Sequence, residues 1–167
     1  GEAIRASGVP REEIWVTTKV TEENAKADDF ARSVETSLET LGLDHVDLLL
    51  IHWPQPAVPF EETLGALARA KRDGLARHIG VSNFTIALLD EAVAKCSEPL
   101  VTNQIEYHCY IKQDRLLAAC RKYDLLVTCH APLARGAMLD DPVILEAAAA
   151  HGKSAAQVAL RWTVQQP

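Results

Sequence analysis

A parallel α/β fold assembled from consecutive β–α units is what this sequence predicts, on three observations. Five short runs rich in aliphatic and β-branched residues begin near positions 14, 46, 78, 100 and 125, about 22 to 32 residues apart. Each interval is long enough for the crossover helix that a parallel strand pair requires. Within the intervals apolar residues recur at three- and four-residue steps, the period of a helix that buries one face.

The elements follow in order. Ile14-Trp-Val-Thr-Thr-Lys-Val20 comes after the turn-like Gly8-Val-Pro10 and reads as the first strand. Phe30, Ala31, Val34, Leu38 and Leu41 mark a helix over 28–43, with Asp28 as its cap and Gly42 as its stop. Val46 to His52 is a nearly continuous apolar run, as expected of a strand covered on both faces, and Trp53-Pro54 ends it. A helix over 61–72, a strand over 78–81, a helix over 86–96 and a strand over 100–106 come next. A helix over 113–123, a strand over 125–129 and paired helices over 142–164 complete the array.

Composition narrows the class. At 167 residues, 48% hydrophobic and 24% charged, the chain can bury one core without staples, so 1–167 is expected to form a single domain, and disorder or a collagen-like repeat is excluded. Seventeen Lys and Arg against 23 Asp and Glu, with no long basic run, give no electrostatic footprint for nucleic acid. No run reaches the roughly 20 apolar residues of a membrane span, and residues 1–10 lack the pattern of a signal peptide. Cys96, Cys109, Cys120 and Cys129 form no C-x-x-C pair and are expected to be free thiols of a soluble, cytoplasmic protein. The chain starts at Gly1 and stops at Pro167 inside or just after an apolar-periodic stretch, so both ends read as cut.

Two architectures accept this array, the doubly wound open sheet and the (β/α)8 barrel, and both place ligands at the carboxyl ends of the strands. The sequence has no G-x-G-x-x-G or G-x-x-x-x-G-K-[ST] turn, which favours the barrel. A complete barrel takes about 250 residues, so the five strands form either an open sheet or part of a barrel. The polar residues at the strand exits are Lys19, His52, Ser82 with Asn83, Gln104 with Glu106 and His108, and His130. Each has a plain structural role open to it. Lys19 can snorkel to water, Ser82 and Asn83 can cap the next helix, and a buried His or Gln can simply be hydrogen-bonded in place.

Three chemistries fit strand-end Lys and His. One is carbonyl reduction by a nicotinamide, with Lys tuning a proton donor and His holding the substrate oxygen. Another is Schiff-base attack by a desolvated Lys19, as in barrel aldolases. The third is a metal site made by His52, His108 and His130, which lacks any H-x-H pair or neighbouring strand-end Asp. Composition and spacing do not rank them.

Six segments, taken in order, carry a resemblance: Gly8 to Ile14, Thr17-Thr18-Lys19, Val46 to Pro54, Gly80-Val-Ser-Asn-Phe84, Asn103-Gln-Ile-Glu-Tyr-His108 and Ala131-Pro-Leu-Ala-Arg-Gly136. Together they resemble the aldo-keto reductase family, most of all its bacterial 2,5-diketo-D-gluconate reductase-type members, over essentially the whole chain. The resemblance implies an α/β fold, a (β/α)8 TIM barrel of the NADP-dependent oxidoreductase type, here incomplete with about five parallel strands, the family's third to seventh. It places the family's catalytic Asp and proton-donating Tyr before Gly1, and the basic residues for the cofactor's 2′-phosphate after Pro167.

By the same resemblance Lys19 matches the lysine that perturbs the Tyr, His52 the histidine that orients the substrate carbonyl, and Trp53 a substrate-pocket aromatic. Ser82, Asn83 and Gln104 match the groups that hold the nicotinamide carboxamide. His130 stands where the family usually has a Tyr stacked on the nicotinamide, and Ala131 where it has Ser, so Ala131 can contribute only its backbone. Leu133 and its neighbours match the pyrophosphate path. The implied function is NADPH-dependent reduction of a small aldehyde or ketone without metal, with this chain inactive alone and prone to self-association through its outer strand edges. Nucleic acid and membrane are not expected partners. The competing readings are a non-catalytic cofactor-binding or scaffold member of the same fold, and a Schiff-base aldolase using Lys19.

Overall fold

The computed structural model describes residues 1–166. Strands β1 (Thr17–Val20), β2 (Val46–Ile51), β3 (Ala76–Ser82), β4 (Leu100–Glu106) and β5 (Leu126–His130) make one sheet, every pair parallel. Their order in space is their order in the chain, β1-β2-β3-β4-β5. A doubly wound sheet reverses direction at its switch point, whereas this one winds a single way, as a barrel wall does. The helices are α1 (Glu2–Ala6), α2 (Ala27–Leu41), α3 (Phe60–Arg72), α4 (Ile86–Lys95), α5 (Asp114–Lys122), α6 (Pro142–His151) and α7 (Ala155–Val164).

Strand register fixes which side chains share a face. Lys19 pairs with Leu50 and Leu50 with Gly80, while Ser82 pairs with Gln104, Gln104 with Thr128, and Glu106 with His130. Because side chains alternate across a strand, Lys19, Leu50, Gly80, Ser82, Gln104, Glu106, Thr128 and His130 all lie on one face. The opposite face packs on the helices through Val20, Leu49, Ile51, Ile79 and Val81, against Phe30, Val34, Leu64, Leu67, Phe84 and Leu89. All six residues of β2 are buried, which explains its unbroken apolar sequence. A Cβ on Gly80 would sit 2.7 Å from the Thr102 carbonyl oxygen and 2.9 Å from Leu50 Cδ2, so only glycine lets β3 approach its neighbours at this register irregularity.

One ionic knot ties the amino-terminal end of the sheet. Asp47, 2% exposed, takes hydrogen bonds from the Val16 N–H at 2.8 Å, Arg11 at 2.8 Å and Arg77 at 3.1 Å. Burial alone would raise its pKa, but the Val16 N–H and the two guanidiniums outweigh burial and hold the carboxyl below its ordinary value. Arg11 also donates to the Ile14 and His45 carbonyls.

Several element ends depart from the sequence expectation. The first strand begins at Thr17, not Ile14, because Arg11–Glu13 forms a helical turn and Arg11 binds the Ile14 carbonyl. Asp28 lies inside α2 and does not cap it; the Ala27 N–H is satisfied by Glu62 of α3, 2.9 Å away. Gly42 does end α2, in the left-handed conformation. Ser82 and Asn83 do not cap α4; Thr85 does, accepting from the Leu88 N–H. The third strand starts two residues earlier than expected and the fifth runs on through His130. Helix α1 was not anticipated.

Candidate active site

The carboxyl ends of the five strands gather most of the residues singled out in the sequence. Lys19 and His130 lie on the two outer strands, and Ser82 and Gln104 lie between them on the same face. His52 follows β2, its N–H bonded to the Val20 carbonyl at 2.9 Å, in the alternation that continues the Leu50 face. Trp53 is next to it, 46% exposed, with its ring 6.3 Å from the His52 ring and tilted by 60°.

Asn83 joins these strands together. Its backbone sits at φ 61°, a left-handed conformation that Asn tolerates better than most residues. Its N–H donates to the Gln104 carbonyl at 2.8 Å, and its side-chain Nδ2 donates to the His52 carbonyl at 2.9 Å and to Ser82 Oγ at 3.0 Å. Ser82 Oγ in turn donates to the Gln104 carbonyl at 2.9 Å. The remaining amide atom, Oδ1, lies 3.0 Å from His130 Nε2. The His52 carbonyl can only accept, so the Asn83 nitrogen must face it, and His130 Nε2 must carry the hydrogen given to Oδ1. One amide thus spans the ends of β2, β3 and β5, while its backbone reaches β4.

The electrostatics centre on His130. Burial pushes its pKa down, Glu106 pulls it up, and Lys19, Arg135 and His52 push it down further. Those four groups therefore lie within electrostatic reach of one imidazole. In the sequence Glu106 stands out only as a strand-exit residue and Arg135 only as part of a motif; neither has a local signal of function. Glu106 Oε1 is 3.3 Å from Nε2 of His108, a buried histidine whose Nδ1 has no hydrogen-bond partner among the described residues. Lys19 Nζ and the Gln104 side-chain amide make no hydrogen bond or ion pair among the described residues, so both remain available to a ligand.

Beyond His130 the chain enters a strained loop. Ala131, Ala134 and Arg135 all have positive φ, near 50°, and Gly136 follows at 97°. Non-glycine residues held there cost about 1 to 3 kcal/mol each and cluster at functional sites. Ala131 and Leu133 belong to this loop and not to the polar group on the sheet. His108 is turned toward Glu106 and Tyr110, and among the described residues no three His, Cys, Asp or Glu side chains form a group able to hold a metal ion. Among those residues no helix is long and apolar enough to cross a membrane.

This face offers a primary amide (Gln104), a hydroxyl, two imidazoles and an uncommitted ammonium. That donor set fits a nicotinamide carboxamide and a carbonyl oxygen, which need neutral hydrogen-bonding groups and one nearby cation. Comparison with known proteins agrees. Methylglyoxal reductase DkgB of Escherichia coli O157:H7 is 44% identical over 167 residues, covering 98% of this chain and 62% of the relative. A crystal structure provisionally assigned as a 2,5-diketo-D-gluconic acid reductase B superposes with a TM-score of 0.96 at 46% identity, over 99% of this chain and 59% of that one. A Bombyx mori aldo-keto reductase in complex with NADP superposes at 0.87 with 34% identity, over 98% of this chain and 59% of that one. The chain therefore spans about three-fifths of the length of these relatives, and its five strands form part of a (β/α)8 barrel. With the Aldo/keto reductase family model matching residues 1–167, the strand-end lysine, histidines and amides sit in the fold they resemble, and the chain belongs to the aldo/keto reductase family.

Proposed function

We propose that this chain carries the nicotinamide and carbonyl-binding part of an NADPH-dependent reductase of small aldehydes or ketones. The observation that carries the reading is the shared face of Lys19, His52, Ser82, Gln104 and His130, linked through Asn83, with the Gln104 amide and Lys19 Nζ uncommitted. When bound, a reduced nicotinamide supplies the hydride. Gln104, Ser82 and Asn83 would hold its carboxamide, so fixing which ring face meets the substrate, and His130 would lie beside it. The backbone of Ala131 and Leu133 follows the pyrophosphate.

His52 donates to the substrate oxygen and Trp53 walls the substrate pocket. The ammonium of Lys19 lowers the pKa of the proton donor and stabilises negative charge developing on that oxygen. The donor itself is not supplied by the tyrosines described. Tyr107 is buried against Trp162, Tyr110 binds Asp141 and Tyr123 binds Asp90. General acid catalysis is worth about 10²- to 10⁴-fold, so without a donor the 167 residues alone turn over little, which is the one respect in which a cofactor-binding reading without catalysis fits this chain.

The test is titration with NADPH, using NADH as control, following Trp15, Trp53 and Trp162 fluorescence in the natural full-length protein, together with carbonyl-dependent loss of NADPH absorbance. Saturable quenching that His52→Ala leaves intact while abolishing turnover supports the assignment. Absence of NADPH binding by the natural full-length protein overturns it.

A further inference from the structure

His130 ends β5 on the polar face of the sheet, and its hydrogen bonding leaves one ring nitrogen free to titrate. Its Nε2–H is committed to Asn83 Oδ1 at 3.0 Å, and Asn83 is itself held by the His52 carbonyl and Ser82. Protonation must then occur at Nδ1, leaving the Nε2 bond intact. The ring can gain or lose a full charge with no rearrangement of the strand ends. A tyrosine or phenylalanine in the same place has no such freedom near neutral pH.

We infer that the charge on His130 sets the site's preference between the oxidised and the reduced nicotinamide, making that preference depend on pH. The inference rests on the nicotinamide reading above. The oxidised ring carries a positive charge that the reduced ring lacks, so an imidazolium beside it opposes the oxidised form selectively. By linkage, each unit by which the oxidised ring lowers the His130 pKa relative to the reduced ring is a tenfold change in relative affinity.

Every charged group facing His130 enters the balance. Lys19 from β1, His52 after β2 and Arg135 in the following loop disfavour the imidazolium, as burial does, and Glu106 from β4 alone favours it. Glu106 is positioned by His108, whose Nε2 lies 3.3 Å from its carboxylate. Glu106 is thus a positioning and tuning residue, and it opposes the burial and the cationic neighbours that push the His130 pKa down.

The experiment measures dissociation constants for NADPH and NADP⁺ separately on the natural full-length protein, between about pH 5 and 8. Their ratio cancels titration of the phosphates that the two cofactors share. In the wild type, Kd(NADP⁺)/Kd(NADPH) rises about tenfold or more as pH falls through the His130 titration. In Glu106→Gln the rise moves to lower pH, and in His130→Phe the ratio is flat. Because a variant can fail to fold, the Cε1–H resonance of His130 is followed in the wild type as well. Its midpoint falls when NADP⁺ is added and moves less with NADPH. A pH-independent ratio in the wild type, a pH-dependent one persisting in His130→Phe, or equal midpoints with the two cofactors overturns the inference while leaving the cofactor assignment standing. Failure of both cofactors to bind at any pH overturns the assignment and the inference together.

Discussion

Replacing Asn83 with alanine tests the idea that one side chain holds three strand ends in place. The substitution deletes the amide's bonds to the His52 carbonyl, Ser82 Oγ and His130 Nε2, at 2.9, 3.0 and 3.0 Å. At a net value of about 1 kcal/mol each, these three bonds account for about 3 kcal/mol. Alanine at φ 61° adds about 1 kcal/mol of backbone cost that asparagine largely avoids. Asn83→Gly separates the two contributions, since glycine also loses the bonds but accepts the left-handed backbone. Urea unfolding of the natural full-length protein should show Asn83→Ala losing about 4 kcal/mol and Asn83→Gly about 1 kcal/mol less. A loss below about 1 kcal/mol in Asn83→Ala, or equal losses in the two variants, refutes the reasoning.

Three further expectations can be checked with stability and solution measurements. Asp47→Ala leaves the partly buried Arg11 guanidinium and the Val16 N–H without their buried acceptor, the exposed Arg77 adding little, and should cost about 3 kcal/mol. The folded pKa of Asp47 lies below its unfolded value of about 3.9, so its contribution is complete above that value and is lost as pH falls through the folded one. Asp47→Asn should therefore flatten the acid limb of a stability–pH curve, and an unchanged slope counts against the ion-pair account. Gly80→Ala forces a methyl against the Thr102 carbonyl and should cost about 1 to 3 kcal/mol by denaturant melts. The 167-residue chain by itself leaves β1 and β5 each paired on one side only, with Leu126 of β5 72% exposed. It should self-associate in light scattering, less so as Leu126→Lys, and a clean monomer with a sharp cooperative melt would contradict this.

The strands were legible because parallel sheets demand local sequence. Val46 to Ile51 must be apolar at every position when both faces are covered, and the run announces itself. Lys19, His52, Gln104 and His130 were legible for the converse reason, since a polar residue ending such a run has no cheap place in the core. Of the ends of α2, the Gly42 stop was legible and the cap at Asp28 was not. Ala27 is satisfied by Glu62, 35 residues on, and nothing near Asp28 reports that bond. Trp15 reads as strand by propensity, yet it is 61% exposed and stacks on His78 of β3 while Arg11 ties down the preceding turn. The role of Asn83 was hidden because its bonds reach His52 and His130, 31 and 47 residues away; in sequence it is a small polar residue before a helix.

That pattern bears on how the chemistry is distributed along the chain. The bonds that order the candidate site join neighbouring strand ends: the His52 N–H binds Val20 of β1, Ser82 and Asn83 link β2 to β5, and β1 contributes Lys19 through register with β2. The arrangement of the candidate-site residues therefore needs only contacts among these five strands and their ends. Proton donation stands apart, because the tyrosines described here are each bound or buried elsewhere. On the proposed reading, binding geometry and proton supply are therefore separable. A phenol supplied to the face near Lys19 should restore turnover without altering the His130–Asn83–His52 linkage, and a restored turnover accompanied by loss of that linkage would show that the two are built together.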